Sequence, residues 1–314
     1  MAVTASIPAA SQARRSTLLA DYAEMFKLRV SLMVVITAAA GYYLGSLRSG
    51  INPLQMQFVQ AMLGIGIVSA GSSALNQVLE RKSDALMNRT ARRPMAAARI
   101  GLVHGALLGL LAVGLGSLYL ATVTTPLTGF LTLLTAASYV AIYTPLKRIS
   151  MIATFVGAFP GALPPLIGWT AARGQIEWEA VALFAILFVW QFPHFEAIGW
   201  LYRVDYARAG IRVTAVAVPG GRATAAQALF YAILMLPVSL WPVFLGMCGW
   251  IYGACAIVFG AAYLWYTVRF VGITRDLAPD ASRKIARDLL KVSVIYLPLL
   301  LAAMILNAHG RFAY

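Results

Sequence analysis

The sequence is poor in charged side chains and poorest in acidic ones. Only 11% of its 314 residues are charged, and just 11 are Asp or Glu. Because soluble domains are roughly one quarter charged, a large soluble core is excluded. Its two cysteines, Cys248 and Cys255, lie in apolar surroundings and are too few for a disulfide framework or a zinc site, so we interpret them as packing residues. No apolar signal-peptide core precedes Lys27, which argues against a secretory leader.

The chain contains long apolar runs instead, and 61% of its residues are hydrophobic. Each run is long enough to cross the ~30 Å hydrocarbon layer of a bilayer. The runs lie at 28–47, 56–78, 101–121, 127–145, 151–171, 180–201, 226–247, 249–271 and 289–308. We therefore predict an all-α polytopic membrane protein of about nine transmembrane helices. A cytoplasmic tail (1–27) precedes a single transmembrane domain (28–308), and a short tail (309–314) follows it.

The positions of the basic residues predict the orientation of these spans. With the N-terminus inside, all of the 25 Lys and Arg residues except Arg48, Arg173 and Arg311 fall in cytoplasmic segments. Basic loops stay cytoplasmic, so we predict the N-terminus inside and the C-terminus outside, in a bacterial inner membrane. The net charge of +14 is spread between spans and not along one helix face, which indicates membrane lipid and not nucleic acid as the partner.

A polar ladder at the end of the second span is the sharpest motif. Asn76, Glu80 and Asp84 are spaced i, i+4 and i+8, which places them on one helix face about 6 Å apart along the axis. Carboxylate and amide oxygens suit Mg²⁺, which shares its coordination shell with substrate phosphates. The arginines that follow, Arg89, Arg92 and Arg93, are forked donors to phosphate oxygens. The pattern predicts a clamp for a metal and a diphosphate.

The alternative for this ladder is a solvated helix end, in which Glu80 and Asp84 pair with Arg81 and Lys82. Its place at the mouth of a transmembrane helix favours the functional interpretation. The segment that closes the fourth span, Tyr143 to Arg148, also leaves two interpretations open. Its Lys147 and Arg148 either reach the same diphosphate or anchor the span at the membrane surface.

Polar residues recur in and after the sixth span. His194 lies within the span, where a histidine usually faces the interior of the bundle, either as a ligand or as a hydrogen-bonded core residue. Asp205 follows the span and either holds a second Mg²⁺ or pairs with Arg208 at the surface.

Three segments together resemble the heme O synthases (protoheme IX farnesyltransferases) of the UbiA superfamily of intramembrane prenyltransferases. The first runs from Asn76 to Pro94, and the second comprises Tyr143–Arg148 with the proline-rich stretch Gly157–Trp169. The third comprises Gln191–Phe195 with Asp205-Tyr206 and Ala209-Gly210. The resemblance covers residues from about 27 to 213, and beyond them only hydropathy matches.

The resemblance implies a UbiA-type bundle around a central cavity capped by two cytoplasmic loops. It implies farnesyl diphosphate and heme b as substrates, heme o as product, and Mg²⁺ as cofactor, with heme b not held permanently. It leaves open whether a heme A synthase partner is bound. Carried onto this sequence, the metal ligands are Asn76, Glu80, Asp84 and Asp205, and the catalytic residues are Asp84, Arg89 and Lys147. The substrate-binding residues are Arg92, Arg93, Arg148, Tyr143 and His194, with His194 directed to heme.

The chain departs from that family pattern around the third segment. Val204 stands where a second acid often precedes the Asp205 position, Glu196 replaces a usual apolar residue, and 211–215 replaces a Pro-Met-Leu-Pro type run. On a continuous helix Glu196 and Asp205 lie on opposite faces. We therefore expect a structural or heme-side role for Glu196, and not metal binding.

Two other functions remain open from the sequence. A UbiA-type enzyme that prenylates an aromatic quinone precursor would use the same diphosphate clamp. A membrane transporter is the second alternative, although transporters usually place their charges near the midplane at broken helices.

Overall fold

The computed structural model describes residues 17–275 and 278–308, and within them the regular structure is helical apart from one isolated bridge between Cys248 and Ala308. The helices are α1 (Leu18–Met25), α2 (Leu28–Ser49), α3 (Met56–Asp84), α4 (Leu102–Val123), α5 (Pro126–Ala137), α6 (Thr144–Leu146), α7 (Ala153–Arg173), α8 (Trp178–Leu201), α9 (Arg203–Arg208), α10 (Thr214–Ala217), α11 (Arg222–Phe244), α12 (Trp250–Phe270) and α13 (Pro279–Leu306). A π-helical segment, Ser138–Tyr143, joins α5 to α6, and a 3₁₀ turn, Val271–Thr274, follows α12.

Each predicted span coincides with a long helix in the described part of the chain. Eight of these are long and apolar enough to cross a membrane by composition alone, with α5, the π segment and α6 forming one of them. The remaining helix, α7, carries Pro160, Pro164 and Pro165 in its interior. Helix α7 is therefore outside this set, and its close packing against α2 places it in the bundle.

Helix α7 lies against α2 at backbone-to-backbone distance. A Cβ built on Gly41 would lie 1.9 Å from the carbonyl oxygen of Pro165, and one built on Gly168 would lie 1.9 Å from that of Ala38. No side chain fits at either position. Small residues therefore let the two helices approach closely, as at many membrane helix interfaces.

Two helices depart from the predicted bounds because their polar ends continue as helix beyond the apolar run. Helix α3 continues to Asp84, past the predicted end at 78, and α13 begins at Pro279, ahead of the predicted start at 289. The described part of the predicted N-terminal tail contains α1, which Thr17 caps by accepting a hydrogen bond from the Ala20 N–H. The rest of that tail (1–16) and the predicted C-terminal tail (309–314) lie outside the described residues.

The loops gather at two opposite faces of the bundle. On one face, the side chain of Gln77 donates to the carbonyl of Glu24 at 2.8 Å, which ties α3 to α1. On the other face, Arg173 donates to Ser49 Oγ at 2.6 Å, which ties α7 to α2. The first face carries most of the basic residues, as the sequence predicts, while its assignment to the cytoplasm remains a prediction. Cys248 and Cys255 are free thiols, as expected.

Candidate active site

The polar ladder lies at the end of α3, where the helix reaches the basic face. Asn76, Glu80 and Asp84 all line a small cavity of about 190 Å³, and Asp84 is only 1% exposed. The hydroxyl of Thr90 donates to the carbonyl of Asp84 at 2.9 Å and so fixes the end of the helix. The helical spacing predicted from the sequence is therefore confirmed, and the three oxygen-bearing side chains share one cavity.

Each ladder residue contacts a cation from another element. Lys27 Nζ donates to Asn76 Oδ1 at 2.7 Å, and Lys147 forms a salt bridge with Glu80. Arg93 Nη1 donates to both carboxylate oxygens of Asp84, at 2.9 and 3.1 Å.

The predicted alternative of local pairing with Arg81 and Lys82 is wrong about the partners. Arg81 instead donates to the backbone carbonyl of Val78. Two of the three cations that contact the ladder, Lys27 and Lys147, come from sites far away in the sequence, and Arg93 lies nine positions beyond Asp84. Such clustering is expected for a functional site.

The cations around the small cavity are crowded and largely removed from water. Burial lowers the pKa of Lys27 to about 7, and the charges of Arg93 and Arg89 act in the same direction while Asp84 opposes them. Burial also lowers the pKa of Lys147 to about 7, with further repulsion from Lys27 and Arg148. Such a cluster is stabilised by any anion that enters it.

A large cavity of about 490 Å³ continues from the small one into the bundle. Both cavities are lined by Lys27, Arg89, Arg93, Tyr139, Tyr143, Thr154, Tyr206 and Val213. The deeper wall is mostly apolar and includes Val34, Ile65, Pro160 and Pro164, so the proline-containing α7 forms one side of the cavity. A charged entrance joined to an apolar interior matches an amphiphile with an anionic head and a long hydrocarbon chain.

Tyrosine rings surround the junction of the two cavities. Tyr139 and Tyr143 stack with ring centroids 5.6 Å apart, and they lie on the π-helical segment, a distortion frequent at functional sites. The Arg89 guanidinium lies 4.7 Å from the ring centroid of Tyr202 and donates to the hydroxyl of Tyr206 at 3.3 Å. Ring faces of this kind stabilise positive charge beside them.

The ladder fits Mg²⁺ by its donor chemistry. Two carboxylates and one amide oxygen on successive turns are hard ligands, and they face a cavity with room for phosphate oxygens and water to complete the shell. The described residues contain no group of three or more His, Cys, Asp and Glu suited to a metal. The ladder therefore favours a cation that arrives with, or is completed by, a phosphate substrate.

Four predicted site residues line neither cavity. Arg92 and Arg148 are exposed, and Asp205 pairs with Arg208 at 3.5 Å. His194 stacks on Trp190 and its Nδ1 lies 2.8 Å from Ser293 Oγ, so it faces α13. The geometry favours the surface-pair interpretation of Asp205 and the core interpretation of His194 that the sequence left open.

Two cavity residues, Lys27 and Glu196, are absent from the set of site residues predicted from the sequence. Lys27 reads as part of a basic tail, yet its left-handed backbone (φ 44°) separates α1 from α2 and directs its side chain to Asn76. Glu196 lines the large cavity. The assumption of a continuous helix from Glu196 to Asp205 is wrong, because α8 ends at Leu201 and Tyr202 (φ −110°) breaks it.

Comparison with known proteins agrees with this architecture. The UbiA prenyltransferase family matches residues 34–308. The chain belongs to the UbiA prenyltransferase family. A family member from Koribacter versatilis, named protoheme IX farnesyltransferase, is 48% identical over 93% of this chain and 94% of its own length. Membership makes the chain a prenyltransferase and sets the transporter alternative aside.

Solved UbiA-type structures share the fold at low identity. A structure of digeranylgeranylglyceryl phosphate synthase superimposes with a TM-score of 0.74 at 15% identity, covering 92% of this chain and 98% of that one. A UbiA homolog from Archaeoglobus fulgidus, bound to GPP and Mg²⁺, has a TM-score of 0.64 at 16% identity, with 90% and 99% covered. These similarities establish the UbiA fold for this chain.

Proposed function

We propose that the chain transfers the farnesyl group of farnesyl diphosphate to a vinyl group of heme b, giving heme o and diphosphate. One observation carries the proposal. A buried cluster of oxygen ligands and cations opens directly into a large apolar cavity, as a prenyl diphosphate requires. The choice of heme b as acceptor is supported by the relative from Koribacter versatilis, which is named for this activity.

In this proposal the small cavity receives the diphosphate. Asn76, Glu80 and Asp84 are the residues that would hold Mg²⁺, and the bound GPP and Mg²⁺ of the Archaeoglobus fulgidus homolog support that choice of cofactor. When bound, Mg²⁺ neutralises charge that develops on the leaving diphosphate. Arg89 and Lys147 line the same cavity and are placed to do so through their own side chains.

The large cavity would hold the hydrocarbon chain and the acceptor away from bulk water. The bond between the allylic carbon and the diphosphate oxygen breaks, and the vinyl group forms a carbon–carbon bond to that carbon. Water then adds to the cationic vinyl carbon and loses a proton, which gives the hydroxyethylfarnesyl group. The rings of Tyr139, Tyr143 and Tyr206 face the junction where the positive charge develops. An apolar wall protects that charge from premature water.

Purified protein in detergent, incubated with heme b, farnesyl diphosphate and Mg²⁺, tests the proposal. Mass analysis should show a heme product enlarged by one farnesyl group and one hydroxyl group, with stoichiometric diphosphate. A parallel reaction with an aromatic acid tests the quinone-precursor alternative. Prenylation of the aromatic acid without any farnesyl adduct of heme would overturn the choice of acceptor.

A further inference from the structure

Two buried polar side chains contact each other beside the large cavity. The Thr214 hydroxyl on α10 donates to Glu196 Oε1 on α8 at 2.9 Å. Both side chains are buried, and Glu196 is 3% exposed. A buried carboxylate in a transmembrane helix is a functional candidate, because burying it is costly. Its hydrogen bond to the buried Thr214 makes the two side chains one shared polar feature.

This carboxylate lines the large cavity, close to a segment that lines both cavities. Val213, next to Thr214, lines both cavities, and Glu196 lines the large one. Glu196 precedes the end of α8 at Leu201 by five residues, which places it about 7.5 Å below the polar face. The reacting end of a prenyl chain whose diphosphate occupies the small cavity would lie at this level.

No other acid among the described residues lines the large cavity. Its other polar side chains are hydroxyls, one amide, and the cations Lys27, Arg89 and Arg93 at the entrance. Hydroxyls and amides are poor proton acceptors, whereas a carboxylate accepts a proton readily.

We infer that Glu196 is the general base that takes the proton released when water adds to the prenylated acceptor. The inference rests on the proposed function. The oxygen of water bonds to the cationic vinyl carbon, and one proton passes from that oxygen to the Glu196 carboxylate. Thr214 occupies one of about four lone-pair sites of the carboxylate, which leaves sites for the water. Thr214 is then a positioning residue.

Glu196→Gln tests this role because the amide oxygen of glutamine still accepts the Thr214 hydrogen bond, while the base is lost. Removing a general base slows proton transfer by about 100-fold or more. The cation then loses a proton from its neighbouring carbon to the released diphosphate, which gives an adduct lighter by one water. We expect this anhydrous adduct to become the main heme product of Glu196→Gln, measured as the ratio of the two masses.

Two controls separate chemistry from structure. Thr214→Val removes the hydrogen bond but keeps the carboxylate, so its product should remain mostly hydrated. Glu24→Gln removes one exposed carboxylate from α1 and should match the unaltered protein. If Glu196→Gln forms the hydrated product in the usual ratio and rate, or if Thr214→Val shifts the ratio equally, the inference is overturned. If the unaltered protein forms no farnesyl adduct of heme, the proposed function fails instead.

Discussion

Replacing Asp84 by Asn should abolish turnover at a moderate cost in stability. Asp84 accepts two hydrogen bonds from Arg93, at 2.9 and 3.1 Å, in a position that is 1% exposed. Removing one partner of a buried ion pair costs about 3–5 kcal/mol. The asparagine oxygen still accepts one bond and Arg93 remains 21% exposed, so we expect a smaller loss of about 1–3 kcal/mol.

The effect on catalysis should be larger than the effect on folding. Asp84 is proposed to hold the metal beside the diphosphate, and losing one such electrostatic contact costs about 10²–10³ in rate. We therefore expect at least that loss in the rate of heme product formation. Retention of heme by the variant should be nearly unchanged, because Asp84 lies in the small cavity and not on the apolar wall. Product mass, heme absorbance and thermal unfolding in detergent measure the three effects.

Asp21→Asn is a matched control for this variant. Asp21 is also buried and accepts hydrogen bonds from Arg99 at 2.8 and 3.0 Å, but it lines neither cavity. The variant should lose comparable stability, although the exposure of Arg99 softens that loss. Its rate should stay within about twofold of the unaltered enzyme, because Asp21 lines neither cavity. The assignment of Asp84 is refuted if Asp84→Asn keeps a tenth of the activity, or if both variants lose activity in parallel.

Three further predictions concern topology, packing and acid stability. In a chain without its natural cysteines, single cysteines placed at Ile51 and Ala97 should react with impermeant reagents from opposite sides of the membrane. Labelling of both positions from the same side would contradict the span assignment. Gly168→Ala should lower thermal stability by about 1–3 kcal/mol because its Cβ would meet an α2 carbonyl at 1.9 Å, whereas Gly114→Ala, with open space around it, should not. Hydrogen bonds from a neighbouring arginine lower the pKa of Glu177 to about 2, so its contribution to stability is complete above about pH 4.5 and is lost as pH falls towards 2. Unfolding measured from pH 6 to 3 should show this loss of stability beginning below about pH 4.5. The Glu177→Gln variant should not show it.

The spans and the polar ladder could be predicted because both depend only on the local pattern of residues along the sequence. Runs of about 20 apolar residues indicate spans wherever they occur. The i, i+4, i+8 spacing of Asn76, Glu80 and Asp84 needs only a helix to bring the three side chains together. Bounds were less predictable, since the polar ends of α3 and α13 remain helical beyond the apolar run.

The partners within the site could not be predicted, because they depend on tertiary contacts. Lys27 reaches Asn76 across 49 positions of sequence, and nothing in the pattern around it distinguishes it from an anchoring lysine. Asp205 shows the reverse case. Its motif suggests a metal ligand, but a break at Tyr202 starts a new helix, and Asp205 there pairs with Arg208. A single backbone break decides which acid of this region lines the cavity.

The charges of the small cavity explain why its acids and cations stand together. Five basic side chains line it against the two acids Glu80 and Asp84, so it keeps an excess of positive charge after both ion pairs are counted. Burial makes that excess costly, and the lowered pKa values of Lys27 and Lys147 are its physical sign. A diphosphate relieves the repulsion by accepting hydrogen bonds from the same cations. Because Lys147 and Arg93 contact the acids, a shift of these cations towards phosphate would free the carboxylate oxygens for a divalent cation. In the proposed clamp, the metal-binding and phosphate-binding halves would thus be coupled through shared partners, which a solvated helix end would not provide.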